Sequence, residues 1–141
     1  MLGSTHVLFS VALILWLYPV RDPLAIALLS VLSGIGSTVP DLDLRFKHRK
    51  ALHNLFVPFI IAVLLIIVFS KFSGIELYVS AFVLGWLSHI LLDALTVKGV
   101  YMFYPFSNRG FKIGLCRSNS FACNFLLSAL SVALISLRTT L

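Results

Sequence analysis

The sequence predicts an all-α, polytopic helical membrane protein with about five helices. Hydrophobic residues make up 60% of its 141 residues and charged residues only 11%, against roughly 45–50% and about 25% in soluble domains. No segment shows the period-two alternation of a half-buried strand, and lipid admits only helices or closed barrels. We therefore expect one integral-membrane domain over residues 1–141.

Five apolar segments give the expected helices, at about residues 5–18, 23–38, 51–70, 75–95 and 120–137. Asp22 and Pro23 stand where a helix takes its N-cap and first residue. The third and fourth segments reach the ~20 residues that span a bilayer, and the other three are slightly short. Gly34 and Gly36 in the second segment are small enough to let membrane helices approach closely.

The remaining features refine this outline. Cys116 and Cys123 have neither a redox CxxC spacing nor a zinc-finger spacing, so we expect unpaired cysteines acting as small apolar side chains. The first segment lacks a preceding basic residue and a small-residue cleavage site, which predicts a retained helix rather than a signal peptide.

The loop over residues 96–119, which connects the fourth and fifth segments, is rich in aromatic residues. It is either a lid or anchor at the membrane interface, or a structural loop.

Charge distribution predicts the orientation. If all five segments span, the N-terminus and the loops after the second and fourth helices share one side. That side carries Arg45, Lys47, Arg49, Lys50, Lys98, Arg109, Lys112 and Arg117, and the other carries Arg21, Lys71 and Arg138. The positive-inside rule makes the first side cytoplasmic, in the inner membrane of the cell. Basic loops facing anionic headgroups explain the net charge of +6 without a nucleic-acid partner.

The candidate metal ligands all fall on that same side. His6 opens the first helix, Asp41 and His53 flank the loop after the second, and His89 and Asp93 end the fourth. His89 and Asp93 are spaced i, i+4 and therefore lie on one face of the helix, where an imidazole and a carboxylate can bind the same cation. The alternative is that the two residues form a hydrogen-bonded pair that only stabilises helix packing. Proximity to lipid favours the functional interpretation, because ionisable groups are costly there.

Asp43, His48 and Arg49 complete the polar loop. Nitrogen and oxygen donors without thiolate match zinc or manganese. Four histidines and three aspartates exceed the three protein ligands of a catalytic zinc, so either two ions share the site or some residues support the ligands or act as general base. Arg49 is a candidate for bidentate phosphate binding. Turn chemistry at the aspartates and a solvated loop at His48 are the structural alternatives.

A family resemblance covers nearly the whole chain. It rests on Ser4-Thr5-His6, Pro40-Asp41-Leu42-Asp43, His48-Arg49 with His53, and His89-x-x-x-Asp93-x-x-Thr96-x-x-Gly99 with a later Pro105. This pattern resembles the LexA-binding, inner-membrane-associated hydrolases, which are described as membrane-bound and metal-dependent. Lys50 and Asn54 depart from the pattern, since members often carry Gly and Ser there.

The resemblance implies a set of roles. His6, Asp41, His53, His89 and Asp93 would be metal ligands, and Asp43 and His48 would be further ligands or acid–base groups. A distant similarity to zinc-dependent phospholipase C and related all-helical nucleases implies phosphodiester hydrolysis at clustered metals.

We therefore expect a hydrolase that uses one or two divalent ions, zinc before manganese. It would act on a phosphoester, such as a phospholipid headgroup, at the cytoplasmic interface, with Asp43, His48 and Arg49 as catalytic residues. The alternatives are a metal-binding or transport protein without enzymatic activity, and a scaffold whose polar cluster only locks helices together. Ligands gathered at helix ends rather than at the bilayer midplane favour surface chemistry over transport.

Overall fold

The computed structural model describes residues 1–46 and 50–140, with only the backbone for residues 43–46. The described ranges hold five α-helices: α1 (Gly3–Leu17), α2 (Pro23–Thr38), α3 (Phe56–Val68), α4 (Ile75–Ala94) and α5 (Phe121–Thr140). A 3-10 helix over Val39–Phe46 continues from α2. Within these ranges, β-structure is limited to two isolated bridges in the loop after α4. The predicted all-helical fold is confirmed.

The start of α2 follows the sequence prediction. Asp22 is the N-cap, and its carboxylate accepts a hydrogen bond of 2.8 Å from the backbone N–H of Ala25. Pro23 is the first helical residue, where its missing N–H and fixed φ cost nothing. The 3-10 continuation lengthens this apolar helical stretch to Pro23–Leu42, which is 20 residues and long enough to cross a membrane.

The third helix is shorter than its apolar run predicts. It begins at Phe56 and has 13 residues, or about 20 Å of helix, which is less than the ~30 Å bilayer core. The expectation that this segment spans outright is therefore wrong. The cause is the side chain of Asn54. Its oxygen accepts hydrogen bonds from the N–H groups of Phe56 and Val57, and its amide group donates to the Lys50 carbonyl. These bonds fold residues 50–55 into a turn.

Helix α4 lies at the centre of the bundle, where it packs against α2, α1 and α3, while α5 packs against α1. Two glycines allow the closest of these approaches. Gly36 of α2 faces the backbone of Phe82, and Gly85 of α4 faces the backbone of Ser33. A methyl group at either glycine would collide with the facing carbonyl group. The small residues of α2 thus permit close packing, as predicted, and Gly85 is their partner.

The loop after α4 returns over the end of the bundle. Val100 and Phe111 exchange two backbone hydrogen bonds of 2.9 and 2.8 Å, and the N–H of Val97 donates to the Cys116 carbonyl. This path brings Cys116 to a Cα separation of 6.5 Å from Cys123, and the two form a disulfide, within the range that disulfides accept. The expectation of unpaired cysteines is wrong, because the pairing depends on how the loop folds back.

One end of the bundle collects the starts of α1, α3 and α5 and the ends of α2 and α4. The N–H of Leu2 donates to the Asn124 side chain, the N–H of Leu55 donates to the Met102 carbonyl, and His89 contacts the Ser37 carbonyl. We call this the site end. Its orientation toward the cytoplasm stays a prediction.

Candidate metal centre

Two buried residues of α4 form the base of the cluster. His89 is 0% exposed and Asp93 is 6% exposed. The Nδ1 atom of His89 lies 2.7 Å from the carbonyl oxygen of Ser37. A carbonyl can only accept, so Nδ1 carries the proton and the lone pair of Nε2 faces the cluster. That Nε2 atom lies 3.7 Å from Asp93 Oδ2 and 3.7 Å from Asp41 Oδ1.

His6 approaches from the first turn of α1. The buried side-chain oxygen of Asn124 on α5 accepts hydrogen bonds from the Leu2 N–H at 2.9 Å and the Thr5 hydroxyl at 3.1 Å. These bonds fix the start of α1, so the His6 ring stacks on the His89 ring with centroids 3.8 Å apart. The Nε2 atom of His6 then lies 3.4 Å from Asp93 Oδ1.

His53 comes from the turn that precedes α3. The indole N–H of Trp86 donates to the Leu52 carbonyl at 2.9 Å, and the N–H of Leu55 donates to the Met102 carbonyl at 3.0 Å. Held between these two anchors, His53 is 1% exposed. Its Nε2 atom lies 3.8 Å from Asp93 Oδ2.

Asp41 closes the cluster from the 3-10 helix and is its most open member, with a side chain that is 38% exposed. Two groups of three potential ligands result, and they share His89. One is His6, His89 and Asp93, and the other is Asp41, His53 and His89. Within each group the ligand atoms lie within 4.8 Å of one another. The site is therefore buried on three sides and open at Asp41.

The spacing within the cluster fits a shared cation better than direct hydrogen bonds. The nitrogen–oxygen separations of 3.4–3.8 Å exceed the 2.7–3.2 Å typical of hydrogen bonds. Two ligands at ~2.0–2.1 Å from a tetrahedral zinc stand about 3.3 Å apart. In the described part of the chain, neither ring nitrogen of His6 makes a hydrogen bond, nor does Nε2 of His89. Each such buried group costs about 1–3 kcal/mol, and a cation bound by the Nε2 atoms of His6 and His89 would offset that cost at those two atoms.

One oxygen of Asp93 also has a cationic neighbour. The Met1 amino group lies 2.9 Å from Oδ1. The other oxygen, Oδ2, faces His53 and His89. The carboxylate therefore joins the start of α1 to α4 and still presents an oxygen to the imidazoles.

The structure brings together all five residues predicted as metal ligands, and their binding of a metal stays a prediction. Of the predicted catalytic residues, His48 and Arg49 lie outside the described residues, as does the side chain of Asp43. Their roles stay predictions as well. Lys50, next along this loop, contacts Asn108 at 3.1 Å and the ring of Tyr101.

Two supporting residues, Ser37 and Asn124, are absent from the sequence-based prediction of the site, and two more, Thr96 and Gly99, belonged to the family pattern without an assigned role. Ser37 contributes only its carbonyl, which no side-chain pattern reveals. Asn124 was detectable, since a buried amide in an apolar helix needs partners. Thr96 donates its hydroxyl to the Asp93 carbonyl at 2.8 Å, and Gly99 adopts a positive φ of 67°. Together these two residues end α4 and turn the loop back over the site.

A comparison with protein families gives one finding that covers almost the whole chain. The family model described as YdjM inner membrane protein matches residues 1–140. No curated protein and no solved structure matches the chain. The family match supports a membrane location and says nothing of a reaction.

Proposed function

We propose, for a chain that belongs to the YdjM inner membrane protein family, that the His–Asp cluster binds a divalent metal ion and catalyses phosphoester hydrolysis at the membrane surface. One observation carries the proposal. Buried imidazole nitrogens that make no hydrogen bond in the described structure, on His6 and His89, face the Asp93 carboxylate at the separations expected of ligands around one ion.

The donor set favours zinc, with manganese second, because it combines imidazole nitrogen with carboxylate oxygen and lacks thiolate. His89 limits how the ion binds. Its Nδ1 is engaged by Ser37, so a single lone pair remains for both three-residue groups. An ion that takes His89 in one group denies that residue to the other. A second ion would have to rely on the remaining donors.

A bound divalent ion would supply activation of water and polarisation of a phosphoryl oxygen. In the hydrolysis, the water oxygen forms the new bond to phosphorus, the bond to the leaving oxygen breaks, and that oxygen takes a proton. Asp41 lies at the open side of the cluster, where the substrate would enter. We assign proton transfer to Asp43 and His48, and stabilisation of developing negative charge to Arg49.

We place the site end at the cytoplasmic face, on the ground of its excess of basic residues over the other side. The disulfide at this end argues the other way, because cytosolic thiols are kept reduced. The redox state of the two cysteines in the cell therefore tests the orientation.

The metal is tested by elemental analysis of protein purified in detergent without chelator. We expect at least one zinc or manganese ion per chain, and a loss of about tenfold or more in affinity for His89→Ala and Asp93→Ala. Ser88→Ala is the matched control, since this buried neighbour donates its hydroxyl to the Gly85 carbonyl and is not one of the potential ligands. A metal content that is unchanged in the two site variants would refute the metal site.

The reaction is tested with a panel of phospholipids and soluble phosphoesters, using the metal-loaded protein. We expect phosphate-ester cleavage that His89→Ala abolishes and Ser88→Ala retains. Metal binding without cleavage of any substrate would favour a metal-binding or transport protein. A wild-type protein without metal, together with a loss of helical circular dichroism in His89→Ala, would favour the scaffold. In that case the cluster would serve only to join helices, as the contact between the Met1 amino group and Asp93 does.

A further inference from the structure

The disulfide joins two parts of the site end that support different candidate ligands. Cys116 belongs to the loop after α4, and Cys123 lies in the first turn of α5. Both cysteines are partly exposed, so a small reagent in solution can approach the sulfur atoms. The bond closes the short segment 116–123 into a ring.

On one side, the disulfide is attached to the end of α4. The N–H of Leu115 donates to the Leu95 carbonyl at 2.8 Å, and the N–H of Val97 donates to the Cys116 carbonyl at 3.0 Å. Leu95 lies two residues after Asp93. Backbone hydrogen bonds thus hold Cys116 against the helix end that carries this candidate ligand.

On the other side, the disulfide adjoins the residue that fixes the start of α1. Asn124 follows Cys123, and its amide group donates to the carbonyls of Ser118 at 3.1 Å and Ser120 at 2.8 Å. Both carbonyls lie inside the ring that the disulfide closes. The side-chain oxygen of Asn124 accepts two hydrogen bonds from the start of α1, which carries His6. The ring therefore orients the amide that positions this histidine.

Helix α5 has few other supports. In the described part of the chain, α1 is the helix against which it packs extensively, and its buried residues are Asn124 and Ser131. The disulfide is the covalent connection that ties its first turn back to the loop after α4. Opening the disulfide would free the segment 116–123, so that Asn124 would hold the start of α1 less firmly.

We propose that Cys116 and Cys123 form a redox switch of the candidate metal centre, in which the disulfide holds His6 in place and the dithiol form binds the metal more weakly. The inference rests on the proposed metal site and adds its regulation. A cytoplasmic site end keeps the pair reduced at rest, and a peroxide is then the signal.

Both directions of the switch are balanced thiol chemistry. Oxidation by hydrogen peroxide removes two electrons and two protons from the two thiols, forms the S–S bond and reduces the peroxide to water. A dithiol reductant reverses this step. One of its thiolates attacks the disulfide, the S–S bond breaks, each cysteine sulfur takes a proton, and the reductant leaves as a disulfide.

Hydrogen exchange of the metal-free protein tests the switch without depending on a metal. Protein purified in detergent is compared with its disulfide intact and after reduction by a phosphine, which is removed under nitrogen. We expect the amides of residues 2–6 and 118–124 to exchange about tenfold faster in the reduced protein, and those of α4 to stay within about twofold. Equal exchange of residues 2–6 in the two forms would overturn the switch.

Zinc affinity tests the consequence for the metal, by competition with a chromophoric chelator. We expect the reduced wild type to bind zinc about tenfold more weakly than the oxidised wild type. Cys123→Ala, which cannot form the disulfide, should match the reduced wild type under both conditions. Tighter binding by the reduced wild type, lost in Cys123→Ala, would show that the thiols themselves bind zinc and would overturn the switch.

Asn124→Ala tests the path from the disulfide to His6. Because this variant lacks the connecting amide, its oxidised and reduced forms should differ in zinc affinity by less than about twofold. A tenfold difference that persists in Asn124→Ala would overturn this path.

The two measurements separate the switch from the proposed function. Equal zinc affinity of the oxidised and reduced wild type would overturn the switch and leave the metal site intact. If neither form binds zinc or manganese, the proposed metal site fails and its regulation with it, while the exchange of residues 2–6 still decides whether the disulfide holds the start of α1.

Discussion

The close crossing of α2 and α4 links helix packing to the candidate metal centre, and Gly36→Ala tests that link. A methyl group at Gly36 would overlap the carbonyl oxygen of Phe82 and would lie 2.9 Å from its carbonyl carbon. Carbon atoms prefer separations of about 3.5–4.0 Å and the oxygen contact is closer still, so the two helices must move apart by at least about 1 Å. The colliding atoms belong to the backbone and have no rotamer that would relieve the contact.

The expected loss of stability follows from two opposing terms. Overpacking costs about 1–3 kcal/mol, with the upper end expected for a backbone collision. The better helix propensity of alanine returns about 1 kcal/mol. We therefore expect the free energy of unfolding to fall by about 2 kcal/mol, which lowers Tm by roughly 5–10 °C.

The same displacement should weaken metal binding. Ser37 follows Gly36, and its carbonyl oxygen lies 2.7 Å from His89 Nδ1. A shift of ~1 Å takes this contact beyond the hydrogen-bond range, and losing such a supporting contact typically lowers metal affinity by about 10–100-fold. Thermal circular dichroism gives Tm, and competition with a chromophoric chelator gives the zinc affinity.

Gly34→Ala is the matched control, two residues earlier on the same helix. A methyl group there meets Val7 Cγ1 at 3.5 Å, which is an ordinary van der Waals contact. We expect its Tm and zinc affinity to equal or exceed those of the wild type. If Gly36→Ala matches Gly34→Ala in both measurements, the helix crossing does not position His89 and the reasoning fails.

Three further predictions concern the supports of the site. Asn54→Ala removes the acceptor for two N–H groups at the start of α3 and should cost about 1–2 kcal/mol, read from Tm. Asn124→Ala leaves the Leu2 N–H without its partner, so stability should fall by about 1–3 kcal/mol and zinc affinity should fall with it. If the site end is cytoplasmic, Cys116 and Cys123 should be alkylated by a thiol reagent added at cell lysis, and oxidise to the disulfide only after purification in air. A disulfide already present in cells would place the site end outside the cytoplasm.

Most helix positions could be predicted from the sequence, because apolar runs and their interruptions are local features. Asp22 and Pro23 start α2 as their chemistry dictates, and Gly74 precedes α4, which begins at Ile75. The third helix was mispredicted, since the apolar run continues through residues 51–55, where the hydrogen bonds of Asn54 hold a turn instead. The start of this helix is therefore set by hydrogen bonds of a polar side chain to the nearby backbone, which the hydropathy of the segment does not reveal.

The convergence of the candidate ligands could also be predicted, because it follows from topology. Helices that alternate in direction bring residues near the start of α1 and the end of α4 to the same end, whatever their separation in sequence. The contacts that orient those residues could not be predicted. The Ser37 carbonyl and the disulfide between Cys116 and Cys123 depend on backbone positions in three dimensions, and hydropathy carries no information about them.

The position of the cluster at helix ends has a physical reason in the carbonyl group that holds His89. The last four carbonyl groups of an α-helix have no partner within it, and Ser37 lies in the last turn of α2, which ends at Thr38. A 3-10 hydrogen bond to this carbonyl would have to come from the residue three positions on, which is Pro40 and has no N–H. The carbonyl is therefore available to accept the Nδ1 proton of His89, whereas a carbonyl in the middle of a spanning helix is already bonded. The negative end of the helix dipole also favours a cation at this place. A pocket that uses such a carbonyl group would lie near the membrane surface, within reach of water and headgroups, which would suit the proposed hydrolysis better than passage of an ion through the bilayer.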